Sequence, residues 1–171
     1  IISRLEIYNT ETGERKVVAE FDYNIQAPNW TPDGRYLICN SRGLMYRIPV
    51  EGGTPEFINT GNVISSNNDH VVSFDGTLLC ISGRGRAGGS QVYVLPITGG
   101  YPRLVTEKAP SYLHGISPDG KWLAYCAGRN NNMDVYVIPI AGGEEIRLTT
   151  AEGLDDGPEY SPDGKYLWFN S

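Results

Sequence analysis

A period of about 43 residues runs through the whole chain and constrains its fold more than any isolated motif. Four times a small hydroxyl residue leads into an Asp-Gly pair: Thr31-Pro32-Asp33-Gly34, Ser73-Phe74-Asp75-Gly76, Ser117-Pro118-Asp119-Gly120 and Ser161-Pro162-Asp163-Gly164. The aspartates follow one another at intervals of 42, 44 and 44 residues. In a repeat architecture each copy is one supersecondary unit that buries its apolar face only by stacking on its neighbours. Shared positions therefore report on fold, and positions that differ report on function.

After each turn comes a short apolar run: Tyr36-Leu37-Ile38-Cys39, Leu78-Leu79-Cys80-Ile81, Trp122-Leu123-Ala124-Tyr125 and Tyr166-Leu167-Trp168-Phe169. Runs of this length and composition, bounded by turn residues, predict buried strands. The Asp-Gly pair supplies a hairpin, because glycine takes the positive φ that a short β-loop needs. A third strand ending in Gly-Gly recurs at Tyr46 to Gly53, Tyr93 to Gly100 and Tyr136 to Gly143. Each carries a proline near its end, and proline cannot donate to a ladder, so an edge or terminal position is expected there. Short fourth strands are predicted at Pro55 to Asn59, Pro102 to Thr106 and Glu145 to Thr149. Four strands per copy and no helical stretch describe the blades of a β-propeller.

The chain begins and ends inside a repeat. Leu5 to Gly13 matches the third-strand segment, with Gly13 in register with Gly53, and the last residues match a second strand. The reading is one propeller domain: residues 1–26 as the last two strands of a split blade, whole blades at 27–66, 67–110 and 111–154, and residues 155–171 as the first two strands of the split blade. Such a chain either closes a four-bladed ring or forms an open part of a larger propeller. Free strand edges would invite self-association.

The phrase Pro158-Glu159-Tyr160-Ser161-Pro162-Asp163-Gly164-Lys165-Tyr166-Leu167 and the later Asp134-Val135-Tyr136-Val137 resemble the repeats of TolB-like propellers. Related repeats occur in the propellers of prolyl-oligopeptidase-like and tricorn-like proteases, where they gate or hold a separate catalytic domain. The resemblance covers essentially the whole chain. It implies an all-β, TolB-like β-propeller of four-stranded antiparallel blades and a protein or peptide partner. It also implies a periplasmic location, whereas three free cysteines would favour the cytoplasm.

Composition narrows the partners. Twenty acidic against 14 basic residues give a formal charge of -6, which argues against nucleic acid because no excess cation displaces counterions. No run of 18 apolar residues or signal peptide is visible. Cys39, Cys80 and Cys126 lack Cys-x-x-Cys spacing and read as core thiols. Counted from the turn glycine of its copy, Cys39 has the opposite strand parity from the other two. No cofactor and no metal centre is expected. Neither a Gly-x-Ser-x-Gly elbow nor a His-Glu-x-x-His helix occurs, so the usual hydrolase machinery is missing.

Propeller function collects where equivalent loops converge around the axis. Five residues before the turn aspartate stand Pro28, His70, His114 and Pro158. Two adjacent copies thus replace proline with histidine, which places the two histidines side by side near a channel mouth. The same connections bring Gln26, Asn68, Asp69, Tyr112, Asp155 and Asp156, a polar set suited to a peptide, a carboxylate or a metal. Solvated, polar loops would look the same. Arg42, Arg84, Arg86 and Arg129 lie between second and third strands, with the middle pair inside Gly83-Arg84-Gly85-Arg86-Ala87-Gly88-Gly89, a weak candidate for an anion site. A flexible hairpin loop is the plainer reading. Trp30, Val72, Ile116 and Tyr160, each three residues before the turn aspartate, read as blade-to-blade packing.

The expected function is a non-enzymatic protein- or peptide-binding scaffold with His70, His114, Asp69 and Asp155 at its centre. Two alternatives are the accessory gating propeller of a prolyl-oligopeptidase-like serine peptidase and a metal-dependent propeller lyase or hydrolase.

Overall fold

The computed structural model describes residues 1–171 and contains sixteen strands and no helix. No helix is therefore long and apolar enough to cross a membrane. The strands form five antiparallel sheets. β1 (Ser3–Tyr8) pairs with β2 (Arg15–Phe21). Three sheets have four strands in chain order: β3 (Gln26–Trp30), β4 (Tyr36–Ser41), β5 (Leu44–Pro49) and β6 (Glu56–Ile58); then β7 (Ser66–Val72), β8 (Leu78–Arg84), β9 (Ser90–Pro96) and β10 (Arg103–Leu104); then β11 (Ser111–Ile116), β12 (Trp122–Arg129), β13 (Asn132–Pro139) and β14 (Ile146–Arg147). The last pair is β15 (Asp156–Tyr160) with β16 (Leu167–Asn170). No ladder joins β1 and β2 to β15 and β16, so the open arrangement is observed and not the closed ring.

The first hairpin of each copy is built by the same few atoms. The Thr31, Ser73, Ser117 or Ser161 hydroxyl donates to its turn aspartate at 2.6 to 2.7 Å and accepts from the backbone N–H five residues on. Hydrogen bonding to these hydroxyls, and to the N–H two residues after each aspartate, lowers all four aspartate pKa values, that of Asp33 to about 2. The turn glycines have φ between 70° and 72°, the left-handed region that side-chain-bearing residues avoid. The repeated motif is thus a requirement of the turn and contributes no reactive group.

Prolines 49, 96 and 139 end β5, β9 and β13. Each faces a partner on the second strand, whereas the fourth strand stops short of it, so the missing N–H interrupts no ladder. Fourth strands are only two or three residues long, shorter than the sequence suggests, which leaves little free edge.

Strand alternation stacks the sheets. Leu37 and Cys39 pack with Leu5, Val18 and Ile48, while Ile38 on the opposite side packs with Met45, Leu79 and Ile81 of the next sheet. Cys80 turns the other way and joins Val92, Leu113, Leu123 and Tyr125. Cys39 therefore faces its preceding sheet and Cys80 its following one, as their parity requires. All three thiols are buried and unpaired, and burial pushes each pKa up to about 12, which leaves them protonated and unreactive. Each fully buried leucine or isoleucine in these layers contributes about 1.5–3 kcal/mol.

Candidate functional site

Strands β3, β7, β11 and β15 stand side by side, each in contact with the next. Together they line a cleft of about 180 Å³ whose walls include Trp30, Phe74, His114, Ile116, Glu159 and Tyr160. This is the channel of the stacked sheets. Val72 and Ile116 also serve the layers between sheets, as expected, but Trp30 is 50% exposed and opens on the channel, so this position does more than pack blades.

Every first strand is bulged on its way to the turn, and the bulges differ in length. Along β11 the partners step from Leu113↔Tyr125 to Gly115↔Ala124, which leaves His114 as one extra residue. Along β7 they step from Ser66↔Gly83 to His70↔Ile81, which leaves two extra residues before His70. Counted back from the turn, the β11 bulge falls on His114 itself, whereas the β7 bulge begins only beyond His70. His114 therefore projects beside the channel, while His70 shares the face of Ile81 and points into the layer toward the preceding sheet.

The expected side-by-side histidines are accordingly not found. His70 is 3% exposed, with Nε2 3.2 Å from the Ile38 carbonyl oxygen. That spacing fits the tautomer in which Nε2–H donates. Burial lowers its pKa, so His70 is neutral in the fold. Asp155 is also buried, its N–H bonded to Met133 O at 3.0 Å and its carbonyl accepting from the Cys126 thiol at 3.1 Å. Neither is available to a ligand. Gln26 is exposed opposite Asn40, Asn68 is exposed within the β7 bulge, and Tyr112 is half-buried opposite Cys126.

What does converge is Asp69, His114 and Asp156. His114 Nε2 lies 3.0 Å from Asp156 Oδ1, and both side chains are partly open to solvent. Asp69 is held by the Asn67 amide at 2.7 Å. Burial raises its pKa, the His114 charge and the Asn67 amide draw it down, and the Asp156 charge raises it further. Asp156 thus contacts the imidazole and Asp69 lies within reach of its charge, the three drawn from successive sheets. Among all His, Cys, Asp and Glu side chains, no group of three is arranged to hold a metal ion.

The candidate arginines disperse. Arg42 stacks over Tyr23 at 5.4 Å. Arg129 is committed to Glu145, with two contacts of 3.0 Å, and to the Pro110 and Gly128 carbonyls at 2.8 and 2.9 Å. Burial opposes the Glu145 carboxylate, but hydrogen bonds from Arg129, Lys108 and Tyr125 outweigh it and hold its pKa at about 2. Only Arg84 and Arg86 share a cavity. The residues that sequence reasoning missed are Asn29, whose amide bridges the Ala27 and His70 carbonyls at 3.2 and 3.1 Å, and Phe74. Phe74 was legible: it replaces the proline of the other three turns, and it is 51% exposed on the channel wall.

No family model matches the chain. It is 49% identical over 99% of its length to an uncharacterized protein of Agrobacterium fabrum, and covers 58% of that relative. A solved structure provisionally assigned as TolB from Agrobacterium tumefaciens superposes with a TM-score of 0.93 at 49% identity, over 98% of this chain and 61% of that one. TolB from Acinetobacter baumannii superposes at 0.82 and 23% identity, over 97% of this chain and 42% of that one. The chain has the fold of TolB-like β-propellers. The chain spans about three fifths of the first of these relatives. The chain is also 26% identical over 80% of its length to YuxL of Bacillus subtilis, described as an uncharacterized peptidase, of which it covers 21%. At 18% identity and a TM-score of 0.76, over 98% of this chain and 62% of the other, it shares its fold with a gluconolactonase from Xanthomonas campestris.

Proposed function

We propose that this TolB-like propeller is a non-enzymatic scaffold that takes a protein or peptide segment at the mouth of its channel. The observation that carries this reading is the junction at His114, which belongs both to the Asp69 and Asp156 pair and to the wall that exposes Trp30 and Phe74. Carboxylates at the mouth recognise a lysine, arginine or N-terminal amine, and aromatic faces below receive apolar side chains. The resemblance to TolB proteins supports a binding role for the fold. An arrayed peptide library probed with the protein tests it. Peptides pairing a basic residue with an apolar one should bind, and Asp69→Asn with Asp156→Asn should weaken them about tenfold or more. Binding that ignores both substitutions overturns the reading.

One second reading has an observation behind it. The likeness to YuxL fits an accessory propeller that holds a peptidase domain. In that case the same channel would admit the peptide on its way to the catalytic domain.

A further inference from the structure

The hairpin between second and third strands is two residues long in two sheets, Arg42-Gly43 and Asn130-Asn131, but five residues long, 85–89, in the sheet between them. This longer loop borders a separate cavity of about 450 Å³. Its walls come from the β6–β7 connection (Asn62, Val63), the loop (Arg84, Arg86) and the outer strands (Gln91, Tyr93). No aspartate or glutamate lines it.

The charges are unusual for this molecule. Every lysine, and every arginine other than Arg84 and Arg86, has an ion pair, a hydrogen bond to a carbonyl or an aromatic face. In a chain of formal charge -6, acidic partners are plentiful, yet the two guanidinium groups on this cavity have none. The Tyr93 hydroxyl also lacks a protein partner. Burial raises its pKa while the Arg86 charge draws it down, which places that charge near the phenol.

The floor beneath them is rigid. Gln91, 2% exposed, donates to the Thr106 and Glu107 carbonyls at 2.8 Å each and accepts from Ala87 N–H at 3.3 Å. A Cβ at position 85 would lie 1.9 Å from Gln91 Oε1 and 2.6 Å from the Tyr93 hydroxyl, so only glycine lets the loop sit so close. The loop is thereby pinned at Gly85 and Ala87, with an arginine at 84 and another at 86. Donors without acceptors, on a fixed base, are the complement of an oxyanion.

We infer that this cavity binds a small organic anion, its carboxylate or phosphate group held by Arg84, Arg86 and the Tyr93 hydroxyl, and its apolar body laid against Val63, Pro102 and Leu104. The volume exceeds what an inorganic ion needs and falls in the range of small-molecule sites. The site is independent of the channel mouth, which is acidic and would repel such a ligand.

The test is a titration of the protein with phenyl phosphate, benzoate, inorganic phosphate and neutral benzamide, read by backbone amide chemical shifts. Saturable shifts at Asn62, Arg84, Arg86 and Gln91 are expected with at least one aromatic anion, and the two anions distinguish a phosphate ester from a carboxylate. Affinity should fall about tenfold or more in the Arg84→Gln, Arg86→Gln double variant, severalfold in Tyr93→Phe, and remain unchanged in Arg42→Gln. An unaltered amide spectrum elsewhere in each variant confirms its fold. The proposal is overturned if no anion saturates, if benzamide binds as well, if inorganic phosphate matches the aromatic anions, or if the double variant binds like the parent.

Discussion

His70 and His114 occupy the same place in the repeat and opposite places in the molecule. Each lies five residues before its turn aspartate, yet one is sealed against the Ile38 carbonyl and the other stands beside the channel against Asp156. The difference is where the bulge falls: in β7 it lies before His70, which pairs regularly with Ile81, and in β11 it falls on His114 itself. Counting from the turn assigns equivalence along the chain, while the ladder assigns equivalence in space. Where a bulge intervenes the two disagree, and the ladder decides which side chain meets water.

The largest test of that contrast is removal of each ring. His70→Ala leaves a cavity and an unpaired Ile38 carbonyl, and should cost about 2–4 kcal/mol in urea unfolding. His114→Ala, partly open to solvent, should cost no more than about 1 kcal/mol while weakening peptide capture. Equal losses would erase the distinction.

A smaller effect is expected from pH. The pKa of His70 is lowered in the fold, so its contribution is fully present above the unfolded value of about 6.5 and is lost as pH falls toward the folded value. In that window stability should fall by up to about 1.4 kcal/mol per pH unit through this residue. Comparison of unfolding midpoints above and below that window, with His70→Asn as reference, isolates the slope. A slope that survives in His70→Asn would assign it elsewhere.

The smallest effect has the opposite sign. Asp69 carries a raised pKa, chiefly from burial, so its ionisation as pH rises weakens the fold. Asp69→Asn should therefore hold or gain a few tenths of a kcal/mol near neutral pH while peptide binding weakens. A clear loss of stability would show that the carboxylate is structural and would undercut its place at the channel mouth.

Much of this was legible in the chain. The Asp-Gly turns, the four-strand copies, the terminal prolines and the opposite facing of Cys39 follow from local rules of turn chemistry and strand alternation. Such rules act within a few residues and survive any arrangement of sheets. His114, Asp69 and Asp156 were among the residues singled out, but so were His70 and Asp155, because polarity in a loop is visible and its direction is not. Arg129 shows the same limit: nothing local announces that Glu145, sixteen residues on, will neutralise it while Arg84 stays free.

The sequence by itself determined a stack of four-stranded blades, since period, turn glycines and apolar alternation all require the same unit. Only the tertiary structure decided that the first and last strand pairs remain apart, that one histidine belongs to the core, and that one long hairpin keeps its arginines unpaired. Those outcomes depend on where each bulge falls and on contacts between distant segments, where an offset of one residue exchanges a buried face for an exposed one.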